Sequence, residues 1–422
     1  MAQFIIKGGR KLTGEVEIGG AKNSVLKILS AAILLSGRVV IKNVPAIEDV
    51  RRMIELLENL GAVVSYLDEK TLSVDARTIS SGVMRDDLAK RLRSSILLIG
   101  PLLARFGSVS FPHPGGCIIG QRPIDLFLDG FRALGARIHA NFSGKYSTYR
   151  IDGKNLRGAN YFFRNISVTG TETLMMASAL IRGTTILRNC ATEPEIPVLA
   201  EFLNRCGANI KGAGTHTIEI RGVSKLKGGV FNVIPDRIEA GSFAILAAAT
   251  KSVLTIKNII PEHIESVLSA LICMGVGVEI RKDLVRIRPA KILRAHSIKT
   301  HEYPGFPTDL QAPFTVLATQ ADGQSLIHET VYEGRLFYIE NLNRMGGKII
   351  MCDPHRILVH GATKLYGRDM ESPDLRAGLA FVVAGLVAEG TSIIQDVYSI
   401  DRGYENIEGR LQKLGADIIR SS

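Results

Sequence analysis

The sequence predicts an α/β protein built from six copies of one unit, grouped three and three into two similar lobes. The first observation is a recurring glycine that is preceded by a hydrophobic residue or cysteine and followed by a small or branched residue. Its six positions are Gly61, Gly135, Gly207, Gly275, Gly346 and Gly415. Subtracting successive numbers gives spacings of 74, 72, 68, 71 and 69 residues. A regular period of this length indicates a repeated supersecondary unit.

The second observation is the pattern inside a copy. In the first copy the apolar segment 24–35 predicts a helix, Gly37 breaks it, and the branched run 39–41 predicts a strand. An amphipathic helix over 49–60 follows, ends at Gly61, and leads into an alternating strand over 63–66. Each copy is therefore rich in alternating strands and helices.

The third observation is size. The chain has 422 residues, of which 46% are hydrophobic, and this is enough for two full cores. Six units exceed what one core of ordinary size holds, so we expect three units in each lobe and a cleft between the lobes. The boundary is expected between the third and fourth copies, near residues 228–235. The strand over 4–7 precedes the first copy and is available to either lobe.

Composition predicts a cytoplasmic protein. The first residues show no signal-peptide pattern, and the longest apolar runs, such as 379–387, are too short to span a bilayer. The five cysteines are odd in number and lack CxxC spacing, which favours reduced thiols over disulfides or a zinc site. Cys190, Cys206 and Cys273 lie in apolar surroundings, so we expect them in the core.

The charge balance points to small anionic substrates. Lys and Arg number 52 against 41 Asp and Glu, a net charge of +11, yet no basic run is interleaved with aromatic residues and tryptophan is absent. This distribution argues against nucleic acid and membrane partners. The GxGxxG, P-loop and HExxH motifs are missing, so we expect no cofactor and no metal. The segment 352–355 with His360 is interpreted as a β-hairpin, not a metal site.

A glycine-rich loop presents a candidate reactive thiol. His113, Pro114 and two glycines precede Cys117, and Gly120, Gln121 and Arg122 follow it. A cysteine on such a loop beside a cation has a lowered pKa and serves as an acid or a nucleophile. From this string alone, a tight turn with an incidental cysteine fits equally well.

The predicted helix starts carry the other candidate residues. Ser, Thr and Asp are common N-caps, and this explains the starts near Ser167, Asp236 and Asp374. Lys22, Arg93 and Arg376 are different, because a cation at a helix N-terminus is opposed by the helix dipole. We therefore expect these three residues to meet a bound anion such as a phosphate.

Taken together, the motifs resemble one family from end to end. They include GGAKN at 19–23, HPGGCIIGQRPIDL at 113–126, GFPTDLQ at 305–311, DLRAG at 374–378 and IDRGYE at 400–405. This set is similar to that of the UDP-N-acetylglucosamine 1-carboxyvinyltransferases, or enolpyruvyl-UDP-N-acetylglucosamine synthases, of the enolpyruvyl transferase family. The resemblance implies two inside-out α/β barrels with pseudo-threefold repeats, one of residues 22–234 and one of 1–21 with 235–422, and an active site in the cleft between them.

The reaction that the resemblance implies is transfer of the enolpyruvyl group of phosphoenolpyruvate to the 3'-hydroxyl of UDP-N-acetylglucosamine by addition and elimination, with release of phosphate. It is the first committed step of peptidoglycan synthesis. The implied catalytic residues are Cys117, Asp309, Lys22, Arg402 and Asp374. Those implied for phosphoenolpyruvate are Lys22, Asn23, Arg122, Arg335, Arg376 and Arg402. Those implied for UDP-N-acetylglucosamine are Asn23, Arg93, Arg122, Pro123, Ile124, Asp125, Leu126, Asn165, Ile166, Ser167, Val168, Asp309 and Val331.

The resemblance also implies roles. Asp309 matches the aspartate beside the sugar hydroxyl, and Cys117 matches the loop cysteine that donates a proton and forms a covalent phosphoenolpyruvate adduct. Asp374 either orients the cations and relays a proton, or simply caps a helix. We further expect the loop to close over bound sugar nucleotide, and fosfomycin to modify Cys117. No obligatory protein partner is expected.

Two other functions are compatible with parts of this sequence pattern. The first is 3-phosphoshikimate 1-carboxyvinyltransferase, which shares the barrels and the phosphoenolpyruvate chemistry but lacks the HPGGC loop. The second is a catalytically silent relative that binds a UDP-sugar. The GGAKN motif and Cys117 disfavour the first, and the complete set of Lys22, Cys117, Asp309 and Arg402 disfavours the second.

Overall fold

The computed structural model describes residues 2–115, 123–141 and 147–421. It divides into two compact units. The C-terminal unit contains residues 2–19 and 235–421, and the N-terminal unit contains the described residues between 20 and 234. The chain starts in the C-terminal unit with two strands, β1 (Gln3–Lys7) and β2 (Thr13–Glu17).

The N-terminal unit holds copies one to three. In chain order its helices and strands are α1 (Lys22–Ala31), β3 (Val39–Lys42), α2 (Glu48–Asn59), β4 (Val63–Asp68), β5 (Thr71–Asp75), α3 (Asp86–Ala89), α4 (Ile99–Phe106), β6 (Ser108–Pro112), α5 (Asp125–Ala133), β7 (Arg137–Asn141), β8 (Thr148–Asp152), β9 (Asn160–Phe162), α6 (Val168–Ser178), β10 (Thr184–Arg188), α7 (Glu195–Arg205), β11 (Asn209–Lys211), β12 (Thr217–Arg221) and β13 (Gly229–Asn232). Short 3-10 turns at Ala32–Leu34 and Arg93–Leu98 extend α1 and precede α4.

The C-terminal unit holds copies four to six. Its further helices and strands are α8 (Arg237–Ala249), β14 (Val253–Lys257), α9 (Glu265–Cys273), β15 (Gly277–Arg281), β16 (Leu284–Arg288), β17 (Ile298–Lys299), α10 (Gln311–Thr319), β18 (Gly323–His328), α11 (Ile339–Arg344), β19 (Lys348–Asp353), β20 (Arg356–Gly361), β21 (Asp369–Glu371), α12 (Leu375–Val387), β22 (Thr391–Gln395), α13 (Tyr398–Asp401), α14 (Ile407–Lys413) and β23 (Asp417–Ser421). The 3-10 turns Pro261–Ile264 and Thr308–Leu310 lead into α9 and α10.

Each copy contributes one small sheet among the described residues. The strand orders are β13-β3-β5-β4, β6-β8-β7 and β11-β12-β10-β9 in the N-terminal unit, and β15-β16-β14-β2, β17-β18-β20-β19 and β21-β22-β1-β23 in the C-terminal unit. In the sixth sheet β1 lies between β22 and β23 and pairs with both in antiparallel register. The N-terminal strand therefore completes the last copy of the repeat.

The inner helices explain the architecture of each unit. Almost every residue of α8, α10 and α12 is buried, and these three helices pack against one another. A helix that is apolar on all sides must lie inside a core. In the N-terminal unit α1, α4 and α6 occupy the corresponding interior positions. With helices inside and sheets outside, each unit is an inside-out α/β barrel of three repeats.

The recurring glycines end the second helix of every copy in the same way. All six have positive φ, between 89° at Gly275 and 107° at Gly207. At the first, the amide of Gly61 donates to the carbonyl of Glu58 and that of Ala62 to Leu57, each at 2.9 Å. This pair of bonds defines the Schellman motif, and it recurs at the other five sites. The prediction of six copies is confirmed.

One of the predicted core cysteines was placed wrongly. Cys190 and Cys206 are buried, and burial raises the pKa of their thiols to about 12 and about 11. Cys273 is exposed, because α9 buries the face formed by Val267, Leu268, Ala270 and Leu271 and turns its last residue outward. The hairpin prediction is confirmed, since β19 and β20 pair across the turn. Among the described helices, none combines the length and hydropathy needed to cross a bilayer.

Candidate active site

The inner helices of the C-terminal unit begin at one end of that unit. Asp309 lies in the 3-10 turn before α10 and contacts Arg376, the second residue of α12. Asp236 caps α8 and lies close enough for its charge to act on Arg376. Three helix N-termini, each carrying a partial positive charge, therefore gather around these side chains.

Asp309 is held between two arginines. Its Oδ1 accepts a hydrogen bond from Arg335 Nη2 at 2.8 Å, and its Oδ2 accepts from Arg376 Nε at 2.9 Å and Nη2 at 2.8 Å. The two arginine side chains are 6% and 7% exposed, whereas that of Asp309 is 24% exposed. Two guanidinium groups share this one carboxylate, and arginine is suited to bind the phosphate or carboxylate oxygens of an anion.

Tyr404 completes the surroundings of Arg376. Arg376 Nη1 donates to the Tyr404 hydroxyl at 3.1 Å, and its guanidinium carbon lies 5.5 Å from the centre of the tyrosine ring. The hydroxyl also contacts Ser242 Oγ at 3.0 Å. Burial raises the pKa of Tyr404, so the ring stays neutral. Burial by itself lowers the pKa of Arg376, but the nearby charge of Asp309 outweighs it and the pKa is raised.

Arg335 is fixed by a second set of contacts. Its Nη1 donates to Thr308 Oγ1 at 2.7 Å, and its guanidinium lies 5.2 Å from the centre of the Tyr332 ring. Burial lowers its pKa, and the charge of Asp309 again reverses the effect, so the net pKa is raised. The contacts of Thr308, Tyr332 and Tyr404 with these arginines were not predicted from the sequence. The signal for Thr308 and Tyr404 was their position inside the GFPTDLQ and IDRGYE motifs.

Asp374 acts as a helix cap. Its Oδ1 accepts from the backbone amides of Arg376 at 2.8 Å and Ala377 at 3.2 Å. Of the two roles expected for Asp374, the structure shows the helix cap, and this cap fixes the backbone that carries Arg376. Arg402 is half-buried at the end of α13, two residues before Tyr404, and Val331 is half-buried in the loop after β18.

In the N-terminal unit, Lys22 has a carboxylate partner that was not predicted from the sequence. Lys22 is the first residue of α1, and its Nζ lies 2.8 Å from Asp49 Oδ2 in the first turn of α2. Their side chains are 12% and 3% exposed. The carboxylate offsets the unfavourable position of a lysine at a helix N-terminus. Asn23 follows in the same turn and is half-buried.

Arg93 connects to the start of the glycine-rich loop. It opens the 3-10 turn before α4, and its Nη1 donates to the carbonyl of Pro114 at 3.2 Å. Burial and the charge of Arg93 lower the pKa of His113. Several residues of the predicted thiol site lie outside the described residues, namely Gly116, Cys117, Gly120, Gln121 and Arg122.

The segments expected to bind the uridine diphosphate lie beside each other. Pro123 and Ile124 precede α5, Asp125 and Leu126 begin it, and Arg164 forms an ion pair with Asp125. The Tyr161 hydroxyl donates to the carbonyl of Leu126 at 2.5 Å. The other expected segment follows Arg164 directly and contains Asn165, Ile166, Ser167 and Val168. Within it, Ser167 caps α6 by accepting from the amide of Gly170 at 3.0 Å.

The six inner helix starts fall into two groups. Three have a side-chain cap, from Ser167, Asp236 and Asp374. In the described part of the chain the N-cap residues of the other three, Ala21, Leu92 and Pro307, provide no side-chain cap. These three starts carry Lys22, Arg93 and Asp309. Backbone N–H groups at helix starts without a side-chain cap are suited to donate hydrogen bonds to the oxygens of a ligand.

The family model and the relatives that match this chain are all described as 1-carboxyvinyltransferases. The family model for EPSP synthase (3-phosphoshikimate 1-carboxyvinyltransferase) matches residues 6–411. A UDP-N-acetylglucosamine 1-carboxyvinyltransferase 3 of Caldanaerobacter subterraneus subsp. tengcongensis is 46% identical over 420 residues, covering 100% of this chain and 99% of the relative. A UDP-N-acetylglucosamine 1-carboxyvinyltransferase of Trichlorobacter lovleyi is 46% identical over 422 residues, covering both chains completely.

Solved structures agree on the architecture. The enolpyruvyl transferase NikO from Streptomyces tendae superposes with a TM-score of 0.89 at 25% identity, covering 100% of this chain and 99% of that one. An EPSP synthase from Acinetobacter baumannii superposes with a TM-score of 0.75 at 18% identity over the full length of both chains. The second likeness, at its lower identity, is a likeness of fold.

Proposed function

The chain belongs to the family of UDP-N-acetylglucosamine 1-carboxyvinyltransferases, and we propose that it transfers the enolpyruvyl group of phosphoenolpyruvate to the 3'-hydroxyl of UDP-N-acetylglucosamine. It is a transferase, and phosphate is the second product. The observation that carries the proposal is the carboxylate of Asp309 held between Arg335 and Arg376 at the start of the inner helices.

The charges of the described residues suit phosphoenolpyruvate, which carries a phosphate and a carboxylate. Arginine binds both groups through paired hydrogen bonds, and lysine supplies a point charge for a phosphate. We assign Arg335, Arg376 and Arg402 of the C-terminal unit and Lys22 of the N-terminal unit to this substrate. Asn23 and Arg122 complete the assignment, and Arg122 lies outside the described residues.

The sugar nucleotide is assigned to the remaining polar and loop residues. The ion pair of Asp125 with Arg164 places the start of α5 beside the segment that leads into α6, which supports binding of the nucleotide by both. The full set assigned to UDP-N-acetylglucosamine is Asn23, Arg93, Arg122, Pro123, Ile124, Asp125, Leu126, Asn165, Ile166, Ser167, Val168, Asp309 and Val331.

The proposed chemistry needs one base and one acid. In the addition step the 3'-oxygen forms a bond to C2 of phosphoenolpyruvate, Asp309 takes the hydroxyl proton, and C3 gains a proton from Cys117. In the elimination step C3 gives a proton back to the Cys117 thiolate, the double bond between C2 and C3 forms again, and the bond from C2 to the phosphate oxygen breaks with its electron pair leaving on phosphate. Asp309 is stabilised as an anion by two guanidinium groups, so it is a weak base. Proton removal therefore accompanies formation of the C–O bond.

The cellular role follows from the reaction. We place the enzyme in the cytoplasm, at the first committed step of peptidoglycan synthesis, where it serves cell-wall growth, cell shape and division. The alternative acceptor, 3-phosphoshikimate, is tested beside the proposed one, because the matching family model is described by that activity.

The test is phosphate release with phosphoenolpyruvate and each acceptor, separately and together. We expect release only when phosphoenolpyruvate and UDP-N-acetylglucosamine are both present. Release with 3-phosphoshikimate instead assigns the sister activity, and no release with either acceptor leaves a silent UDP-sugar binder. Cys117→Ala is expected to lose activity. Cys352→Ala is the matched control, because Cys352 is an exposed thiol on β19.

Fosfomycin tests the thiol directly. We expect mass spectrometry to find one adduct, on Cys117, with Cys352 and Cys273 unmodified although both are exposed. Cys273 and Cys352 are both exposed, so exposure alone would lead to labelling of these two thiols as well, and an adduct on Cys117 alone would indicate a thiol made reactive by its surroundings. Equal labelling of all three thiols would remove the special role assigned to Cys117.

A further inference from the structure

Glu329 is a fully buried carboxylate directly after β18, and the residues assigned above do not include it. Its Oε1 accepts hydrogen bonds from Thr300 Oγ1 at 3.0 Å, from the amide of Val331 at 2.8 Å and from the amide of Tyr332 at 3.1 Å. Its Oε2 accepts from Thr308 Oγ1 at 2.7 Å. All four partners are donors. An ionised carboxylate satisfies such a set, and a side-chain amide does not.

One branch of these contacts reaches Arg335 through Thr308. A threonine hydroxyl has one proton to donate and lone pairs with which to accept. Thr308 gives its proton to Glu329, so its lone pairs are free to face Arg335, whose Nη1 donates to Thr308 Oγ1 at 2.7 Å. Glu329 thereby fixes the hydroxyl in the orientation that receives the guanidinium.

A second branch reaches Arg335 through Tyr332. The amide of Tyr332 is held by Glu329, and the tyrosine ring lies 5.2 Å from the guanidinium carbon of Arg335. The amide of Arg335 also donates to the carbonyl of Tyr332 at 3.4 Å, which closes a turn. The same carboxylate therefore holds the backbone turn that carries Arg335 and both the hydroxyl and the aromatic residue that contact its guanidinium.

We propose that Glu329 is a positioning residue for the phosphoenolpyruvate site, acting through Thr308 and Tyr332 on Arg335. The inference rests on the proposed function and deepens it. Arg335 also donates to Asp309, but Arg376 holds the other oxygen of that carboxylate, so the proposed base keeps its position when Arg335 is loosened. Glu329 is completely buried and touches neither substrate in this assignment. Glu329 acts by fixing the position of the Arg335 guanidinium.

The experiment compares steady-state kinetics of wild type, Thr308→Val, Thr308→Ser and Glu329→Gln. Valine has nearly the shape of threonine without the hydroxyl, whereas serine keeps the hydroxyl. Thr319→Val is the matched control, because Thr319 is a fully buried threonine at the other end of α10. Its hydrogen bonds among the described residues are with Val316, Gln320 and Thr363. Each variant is also melted to establish that it is folded.

We expect Thr308→Val and Glu329→Gln to raise KM for phosphoenolpyruvate about tenfold while kcat changes less than about threefold. KM for UDP-N-acetylglucosamine should stay within about twofold of wild type. Thr308→Ser should restore the wild-type KM. The double variant Thr308→Val, Glu329→Gln should be no worse than Glu329→Gln alone, because the change at Glu329 already disturbs the branch through Thr308.

Wild-type KM in Thr308→Val, or an equal defect in Thr308→Ser, would overturn the proposal. So would a normal KM in folded Glu329→Gln. If Glu329→Gln does not fold, Glu329→Asp takes its place, since it keeps the charge and shortens the reach, and it should show the same rise in KM. An inactive wild type would instead overturn the proposed function, and the inference with it.

Discussion

Replacing Asp309 with asparagine is expected to destabilise the C-terminal unit and to remove activity. The wild-type carboxylate is the common partner of Arg335 and Arg376, whose side chains are 6% and 7% exposed. Asparagine has the same shape but no charge, and its NH₂ group turns a donor toward one of the two guanidinium groups. The two buried cations then repel each other with no shared anion between them.

The magnitude follows from the burial. Removing one partner of a buried ion pair costs about 3–5 kcal/mol. Because the side chain of Asp309 is 24% exposed, we expect the lower end, about 3 kcal/mol. For a unit of this size each kcal/mol lowers Tm by about 2–4 °C, so Tm of the C-terminal unit should fall by about 6–12 °C.

The assay is scanning calorimetry of wild type, Asp309→Asn and Asp353→Asn. Asp353 pairs with Arg356 on the exposed hairpin of the same unit, so its variant should melt like wild type. A Tm for Asp309→Asn within about 2 °C of wild type would refute the argument that the carboxylate holds the two arginines together. Separately, kcat should fall at least about 100-fold, and a wild-type kcat would refute the role of Asp309 as the base.

Three further perturbations test other parts of the molecule. Burial raises the pKa of Glu172 from 4.5 to about 7. Between pH 4.5 and about pH 7 the folded state therefore binds more protons than the unfolded state. The free energy of unfolding should fall by up to about 3 kcal/mol as the pH rises through this range. Urea unfolding at about pH 5 and about pH 8 should show this fall in wild type but not in Glu172→Gln. The same fall in both proteins would contradict the prediction. Asp49→Asn removes the carboxylate 2.8 Å from Lys22 and should lower kcat/KM for phosphoenolpyruvate about tenfold, whereas Glu55→Gln on the same helix should leave it unchanged. Gly415→Ala meets open space at a φ of +99°, so backbone strain alone should cost about 1–2 kcal/mol in thermal unfolding, with unchanged kinetics.

Much of the candidate site was accessible from the sequence as a set of residues, but not as a set of contacts. Asp309, Arg335 and Arg376 were expected from motifs, and the structure brings these three together. Their partners were not expected. Glu329 belongs to no motif, and its bond to Thr308 spans 21 residues of chain. Asp49 reads in the sequence as an ordinary acidic residue in the first turn of a helix, and only the packing of α1 on α2 makes it the partner of Lys22.

The six repeats could be predicted from the sequence, because a Schellman glycine and an apolar helix depend on neighbouring residues and form through local backbone geometry and burial. The place of β1 in the sixth sheet could not be predicted in this way, since β1 pairs with strands near the opposite end of the chain. The tertiary structure also decided that Arg376 meets Asp309 across 67 residues and that Cys273 faces outward. Such contacts depend on how helices pack and which face each turns to the core, and a local pattern does not encode that choice.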